Sequence, residues 1–222
     1  MPWRSLQGPS AFEPPLEARW PDIEAMLAEA RRCVRCRLAE GRTQVVTGDG
    51  NPHALLMIVG EGPGEEEDAL GRPFVGRAGR LLDRLLAEVG IDRAEVWVTN
   101  IVRCRPKELA GGVVKNRPPR ADEIRACGIW MNAELSFVRP RLILCLGATA
   151  AQTLYDKKFR LMEQHGQWFP GPYGSELMAT LHPAWVLRQQ GPAYEQARAM
   201  VKEDLRRLAE RYYALRGGGE GH

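Results

Sequence analysis

The chain has 222 residues, a length that suits one domain with a full-sized core. Hydrophobic residues make up 44% and charged residues 27%, with a net charge of +3, which is the balance of an ordinary globular protein. No apolar run approaches the roughly 20 residues of a membrane span, and no apolar secretion segment follows Met1, so we expect a cytoplasmic protein without a membrane partner.

Apolar runs and helix breakers predict the order of the elements. Residues 1–19 contain four prolines, so we expect a flexible N-terminal arm there. Apolar residues at helical spacing predict a helix from Ile23 to about Cys33. Short apolar runs predict buried strands at 54–59, 96–99, 142–146 and 177–181. Further helices are predicted at 81–89, 121–138 and 194–215, a loop at 103–119 and a disordered tail at 217–222.

The alternation of strands with helices indicates the fold class. It is typical of an α/β protein in which helices cover both faces of a parallel sheet. The sequence contains no internal repeat and no boundary of a second domain, so we expect a single domain over residues 20–216.

Polar side chains follow three of the predicted strands. Glu61, Asn100 and His182 each stand just after the carboxyl end of a strand, and Gly147 follows the remaining one. Ligands of open α/β sheets bind beyond that edge, so these residues form a candidate site. An amide pairs with one face of a base, a carboxylate orients water, and an imidazole holds an oxygen that gains negative charge. Phe74 stands in a Gly/Pro-rich loop, where a stacking ring and a core phenylalanine are both open alternatives.

Five cysteines raise the question of metal ligation. An odd number in a chain that has no secretion signal argues against a disulfide framework. Cys33 and Cys36 form a CxxC pair, and Cys104 and Cys127 follow singly; such a set can hold zinc or an iron–sulfur cluster. The spacing does not separate these two, and free thiols are a third alternative. Cys145 lies inside an apolar strand and is most simply a core residue.

Positive charge is concentrated between residues 103 and 125. Seven basic residues stand there against three acidic ones. A surface for nucleic-acid phosphates and an ordinary solvated surface are both consistent with such a run. The charge distribution alone therefore leaves both alternatives open.

Taken together, six motifs between about residues 30 and 190 resemble the family 4 uracil-DNA glycosylases. They are Cys33–Cys36, Gly60–Asp68, Gly71–Gly76, Thr99–Pro106, Asn116–Pro118 and His182–Arg188. The resemblance implies a three-layer α/β/α sandwich with a central four-stranded parallel sheet. It also implies a 4Fe–4S cluster held by Cys33, Cys36, Cys104 and Cys127.

The resemblance also implies a reaction and roles for individual residues. The enzyme would flip uracil out of DNA and hydrolyse its glycosidic bond, leaving an abasic site for base-excision repair. Glu61 would handle the attacking water, His182 would stabilise O2 of the departing uracil, and Asn100 would read the edge of the base. Phe74 would stack on the base, Gly62 would line the uracil pocket, and Glu67 would support that site. Residues expected to contact DNA are Arg105, Arg117, Leu187 and Arg188.

Two features bear on the subtype. The segment Lys107–Lys115 resembles an insertion relative to the usual family spacing, and it lacks the histidine with which a related group traps the sugar covalently. No lysine in the motifs is placed to attack the sugar, so a monofunctional enzyme is expected. Family 5 relatives lack the acid that stands here at Glu61, which argues against that assignment.

Two other classes of protein are also consistent with the sequence. One is a silent binder of uracil-containing DNA, which would not need the complete set of Glu61, Asn100 and His182. The other is an iron–sulfur electron carrier, which would not need the loops of Phe74 and His182. As partner we expect uracil-containing DNA, single- or double-stranded, bound by a monomer.

Overall fold

The computed structural model describes residues 19–217 of the chain. Apart from Arg19 and Gly217, the predicted arm over 1–19 and the predicted tail over 217–222 lie outside the described residues. No helix within 19–217 has both the length and the apolar character needed to cross a membrane.

Helices and strands alternate along most of the described chain. The helices are α1 (Ile23–Ala30), α2 (Leu38–Gly41), α3 (Glu65–Leu70), α4 (Arg77–Glu88), α5 (Ala121–Val138), α6 (Ala148–Leu154), α7 (Leu161–Gln164), α8 (Pro183–Val186) and α9 (Pro192–Gly217). The strands are β1 (Asp49–Gly50), β2 (Leu56–Gly60), β3 (Trp97–Asn100), β4 (Lys107–Ala110), β5 (Val113–Asn116), β6 (Leu142–Leu146), β7 (Trp168–Pro170) and β8 (Glu176–Thr180).

The main sheet has six strands in the order β1-β3-β2-β6-β8-β7. The four central strands, β3, β2, β6 and β8, run parallel and correspond to the four predicted strands. The expectation of a four-stranded sheet is corrected, because β1 and β7 add antiparallel strands at the two edges. These edges have only two and three residues, too short to show an apolar pattern in the sequence.

Helices cover both faces of the sheet. Along β2, Met57 and Val59 pack into an apolar cluster with α1 and α5, whereas Leu56 and Ile58 pack into a second cluster with α4 and α9. Successive side chains of a strand point to opposite faces, so each central strand contributes to both clusters. This explains why the central strands are continuously apolar, and it produces the three layers that the resemblance implied.

The predicted loop over 103–119 contains a second, two-stranded sheet. Strands β4 and β5 form an antiparallel hairpin in which Glu108 pairs with Lys115 and Leu109 with Val114. Gly111 and Gly112 both have positive φ angles, 61° and 78°, as a two-residue hairpin turn requires. Leu109, Val113 and Val114 are more than half exposed, so burial left no sign of these strands in the sequence.

Candidate active site

The site lies at the carboxyl edge of the four central strands. Gly60 at the end of β2 pairs in register with Asn100 at the end of β3, and Glu61 follows directly. On the other side Leu146 at the end of β6 pairs with Thr180 of β8, and His182 comes two residues later. The chain passes from β2 to β3 on one side and later to β6 on the other, so this edge is the switch point where α/β sheets bind ligands.

Gly60 allows the aromatic ring and the amide to meet over the end of β2. A Cβ atom at this position would lie 2.5 Å from both Asn100 Oδ1 and Phe74 Cζ. Any side chain would therefore displace both groups. Phe74 is buried and adopts a φ of 55°, a left-handed backbone that is uncommon for a bulky residue and that clusters at functional sites.

Asn100 presents an unsatisfied polar atom inside the site. The residue is only 2% exposed, and its Oδ1 has no hydrogen-bond partner within the described part of the chain. A buried acceptor without a partner is costly, so its presence at the ligand-binding edge of a sheet is typical of an atom that a ligand satisfies. The main-chain carbonyl of Asn100 is held by a hydrogen bond from Arg103 Nη1.

The imidazole of His182 lies beside Phe74 with a defined tautomer. The two ring centroids are 5.9 Å apart and the ring planes are inclined by 27°. The Nδ1 atom of His182 accepts a hydrogen bond from Ala184 N at 3.1 Å, so in the neutral ring the proton sits on Nε2. Burial, reinforced by the charge of Arg188, lowers the pKa of His182 to about 4. His182 is thus a neutral hydrogen-bond donor near pH 7.

Gly147, between β6 and α6, packs against His182. Its φ is 90°, and a Cβ atom there would lie 3.3 Å from the Cβ of His182. The turn after β6 therefore adopts a conformation that favours glycine and brings its backbone against the imidazole.

Glu61 has a partner that the sequence did not indicate. Thr149 Oγ1, on the first turn of α6, donates a hydrogen bond to Glu61 Oε2 at 2.5 Å. A threonine near the start of a helix is common enough that nothing in its sequence context singled it out. The contact joins residues that are 88 positions apart, and it became visible only with the fold.

Glu67 and Gly62 shape the loops around Glu61. Glu67 is buried, and its two carboxylate oxygens accept hydrogen bonds from Gly64 N at 3.1 Å and from Gly76 N at 2.8 Å. This one side chain therefore ties the loop after β2 to the loop that carries Phe74. Gly62 lies against Val102 and Pro106, which follow β3. Gly62 thus lies beside the segment after β3, and the carboxylate of Glu67 holds the backbone of two loops; contact of either residue with a base stays a prediction.

Four of the five cysteines line one cavity. Cys33, Cys36, Cys104 and Cys127 contribute to its wall, whereas Cys145 is fully buried in β6. Burial raises the pKa of the Cys104 thiol and raises that of Cys127 to about 12. Within residues 19–217, no group of three or more Cys, His, Asp or Glu side chains has the spacing of a site for a single metal ion.

N–H groups point at three of these sulfurs. Trp130 Nε1 donates to Cys33 Sγ at 3.1 Å, the main-chain N of Arg103 to Cys127 Sγ at 3.3 Å, and Arg42 Nη1 to Cys104 Sγ at 3.5 Å. Such donors stabilise sulfur that carries negative charge, as a ligating thiolate does.

A buried ion pair connects the cysteine cavity with the end of β3. The side chains of Arg103 and Glu134 are each 1% exposed, and Arg103 Nε donates to Glu134 Oε1 at 3.2 Å. Arg103 also holds the carbonyl of Asn100, while its own main-chain N–H donates to Cys127. Arg103 is one of the seven basic residues between 103 and 125, and because its guanidinium is buried it cannot reach phosphate.

The residues expected to contact DNA differ in exposure. Arg105 is 7% exposed and donates to Asn116 Oδ1 at 2.7 Å, and Arg117 donates from two nitrogens to the carboxylate of Glu123. Arg188 is exposed near His182. Leu187 is partly buried against the α4–α9 cluster, whereas Trp185, one of its neighbours on α8, is 38% exposed. DNA contact by these residues stays a prediction.

The geometry of the strand ends defines a class of protein. The Phe74 ring, the buried Oδ1 of Asn100 and the His182 imidazole lie together at the switch-point edge of the sheet, and Glu61 follows β2 there. Such a set of groups at the carboxyl edge of a parallel sheet is typical of the active site of an α/β enzyme.

Comparison with known proteins identifies the family. A model of the uracil DNA glycosylase superfamily matches residues 47–206. A type-4 uracil-DNA glycosylase of Thermotoga maritima is 40% identical over 184 residues, which cover 82% of this chain and 91% of that protein. A type-4 enzyme of Saccharolobus solfataricus is 36% identical over 197 residues, 85% of this chain and 86% of that protein. A type-5 uracil-DNA glycosylase of Thermus thermophilus is 31% identical over 183 residues, 74% and 80% of the respective chains.

The chain therefore belongs to the uracil-DNA glycosylase superfamily, among its type-4 members, to which it has the higher identities. The resemblance inferred from the six motifs is confirmed.

Proposed function

We propose that the protein is a monofunctional glycosylase that removes uracil from DNA and leaves an abasic site. The observation that carries the proposal is the buried, unpartnered Oδ1 of Asn100, set at the carboxyl edge beside the Phe74 and His182 rings. A redox carrier has no use for such an acceptor. A pure binder has no use for a hydrogen-bonded carboxylate, Glu61, beside the base site.

In the proposed reaction, the base leaves the DNA stack and enters the pocket against Phe74. Asn100 pairs with the N3–H and O4 edge of uracil, because its amide has an acceptor and a donor side by side. The glycosidic bond breaks as its electron pair moves onto the base, and the Nε2–H of neutral His182 stabilises the negative charge at O2. Water then adds to the oxocarbenium-like sugar while Glu61 accepts its proton.

The proposal is tested with a labelled oligonucleotide that contains one uracil. The purified protein is expected to produce an abasic site without added metal or ATP, in single- and double-stranded DNA, and the strand should break only after alkali or heat. Borohydride should trap no covalent complex. Breakage at uracil without alkali, together with borohydride trapping, would contradict the monofunctional mechanism, and binding without cleavage would support the silent binder instead.

We further propose that the four cysteines of the cavity hold a 4Fe–4S cluster. Three of their sulfurs already receive N–H hydrogen bonds, and all four line the same cavity. Tetrahedral zinc requires all four sulfurs at about 2.3 Å from one ion. A cubane cluster binds each thiolate to a different iron, so it accepts cysteine sulfurs that lie farther apart. When bound, the cluster would cross-link the chain around Cys33, the segment after β3 and helix α5.

Iron content and cysteine variants test the cluster. The protein is expected to be brown and to contain about four irons per chain. Cys104→Ser or Cys127→Ser should lose the colour and much of the soluble protein, because each removes a ligand. Cys145→Ser is the matched control, since Cys145 lies in β6 and does not line the cavity, and it should retain the iron. Stoichiometric zinc in protein prepared without oxygen would refute the cluster.

The β4–β5 hairpin is proposed to lie along the DNA. Its base is joined to the site, because Asn116 accepts a hydrogen bond from Arg105 and Arg117 N donates to Pro106 O at 3.1 Å. Lys115 on β5 is exposed. An exposed cation at the rim of a base-flipping site is well placed for phosphate, whereas Arg103, Arg105 and Arg117 are already held by protein partners.

Neutralising Lys115 tests this contact. Lys115→Gln should weaken binding to uracil-containing duplex and reduce the slope of log K against log salt by about 0.9, the effect of one lost phosphate contact. Lys157→Gln is the control, because Lys157 is exposed in the segment between α6 and α7. Equal slopes for Lys115→Gln and the parent protein would show that the hairpin cation does not touch phosphate.

A further inference from the structure

The hydroxyl of Thr149 contacts one oxygen of the Glu61 carboxylate and leaves the other open. The hydrogen bond from Thr149 Oγ1 to Glu61 Oε2 is 2.5 Å long, and both side chains are partly buried. A carboxylate turns freely about its last bond unless one oxygen is held. With Oε2 occupied, the rotation of the group is fixed and Oε1 points to a single place.

We propose that Thr149 is the positioning residue for Glu61, so that Oε1 accepts the proton of the attacking water. This inference rests on the proposed function. It extends that function because it assigns to Thr149 the hydrogen bond that fixes the orientation of the Glu61 carboxylate. The turn that carries Thr149 also contains Gly147, whose backbone packs against His182. One short segment between β6 and α6 therefore positions two of the proposed catalytic side chains.

A second threonine on α6, Thr153, makes the hydrogen bond that is usual for a helical threonine. Thr153 Oγ1 donates to the carbonyl of Thr149 at 2.7 Å, the back-bond to the preceding turn that helical threonines usually make. The hydroxyl of Thr149 instead crosses to a carboxylate 88 positions away in the sequence. Thr149 and Thr153 thus provide a pair of variants with the same chemical change on one helix.

The experiment measures single-turnover excision and DNA affinity for Thr149→Val, Thr149→Ser and Thr153→Val. Valine matches threonine in shape and lacks the hydroxyl. Thr149→Val is expected to slow excision by roughly 10- to 100-fold, because misplaced reacting groups lose rate on that scale, while the Kd for uracil DNA changes little. Thr149→Ser should recover most of the rate, and Thr153→Val should equal the parent protein.

A double-mutant cycle separates positioning from a purely structural effect. If Thr149 acts through Glu61, Thr149→Val should cause no further loss in a Glu61→Ala background. A structural effect on the helix would persist in that background, and such persistence overturns the proposal. A parent-like rate for Thr149→Val, or no recovery with serine, overturns it as well.

The outcomes also separate this inference from the proposed function. Excision by the parent protein, slowed by Glu61→Ala but unaffected by Thr149→Val, leaves the function intact and removes Thr149 from it. Excision that is unaffected by Glu61→Ala overturns both the role of Glu61 and that of Thr149. No excision of uracil by the parent protein overturns the proposed function itself, and the inference with it.

Discussion

Replacing His182 with alanine is expected to slow uracil excision by roughly 100- to 1,000-fold, the usual effect of removing one well-placed oxyanion donor. The structure supplies the reason. The Nδ1 atom accepts from Ala184 N, so Nε2 carries the proton and donates in the neutral ring. A neutral donor gives up no proton to the base, and its hydrogen bond strengthens as charge develops at O2 of uracil. Affinity for intact uracil DNA should change little, because that charge is absent in the ground state.

The measurement is single-turnover cleavage with enzyme in excess, alongside the Kd for the same duplex. His53→Ala serves as the control, since His53 is exposed. A parent-like single-turnover rate for His182→Ala, in a protein that melts normally, would remove His182 from the mechanism.

The pH dependence provides a second readout for the same residue. The pKa of His182 falls from 6.5 to about 4 in the folded protein, so the unfolded chain binds more protons between these values. The stability that the neutral ring contributes is therefore complete above about pH 6.5 and is lost as the pH falls towards 4. Because the ring stays neutral in the folded protein, the rate of excision should not change near pH 6.5 through titration of His182. His182→Gln should reduce this acid sensitivity of the melting temperature.

Much of the fold was visible in the sequence because burial leaves a pattern. Strands β2, β3, β6 and β8 are buried at every position or nearly so, and each reads as a short apolar run. The edge strands and the β4–β5 hairpin escaped prediction because they are short or exposed. The two glycines of the hairpin turn were read as part of a loop, although both adopt the φ > 0 geometry of a hairpin.

The sequence predicted those residues of the candidate site that directly follow a central strand. Glu61, Asn100 and His182 follow strands that run parallel, so the topology alone brings them to one edge. Thr149 and the pair of Arg103 with Glu134 were missed because their contacts join distant segments. The basic run illustrates the same limit, since a formal charge in the sequence does not reveal that Arg103 is buried.

Asn100 determines the choice of base in the proposed mechanism. Uracil offers an N3–H donor beside an O4 acceptor, whereas cytosine offers an N3 acceptor beside an N4 donor. An amide held in one orientation matches uracil and leaves unpaired groups against cytosine. Because Asn100 is only 2% exposed, water cannot satisfy those groups, and such mismatches can reject a ligand by about 10⁴- to 10⁵-fold. The hydrogen bond from Arg103 to the Asn100 carbonyl fixes the backbone from which the amide projects.

Asn100→Asp is therefore expected to lose most uracil excision, because an ionised carboxylate cannot donate to O4. The same carboxylate can accept from the amino group of cytosine, so a weak gain of cytosine cleavage is expected. Aspartate is nearly isosteric with asparagine, so the space that Gly60 leaves beside the side chain of residue 100 also accommodates the variant. Single-turnover cleavage of matched uracil and cytosine oligonucleotides by both proteins is the measurement. Parent-like uracil cleavage by a folded Asn100→Asp protein would show that Asn100 does not read the base, and the unpartnered Oδ1 would then need another ligand.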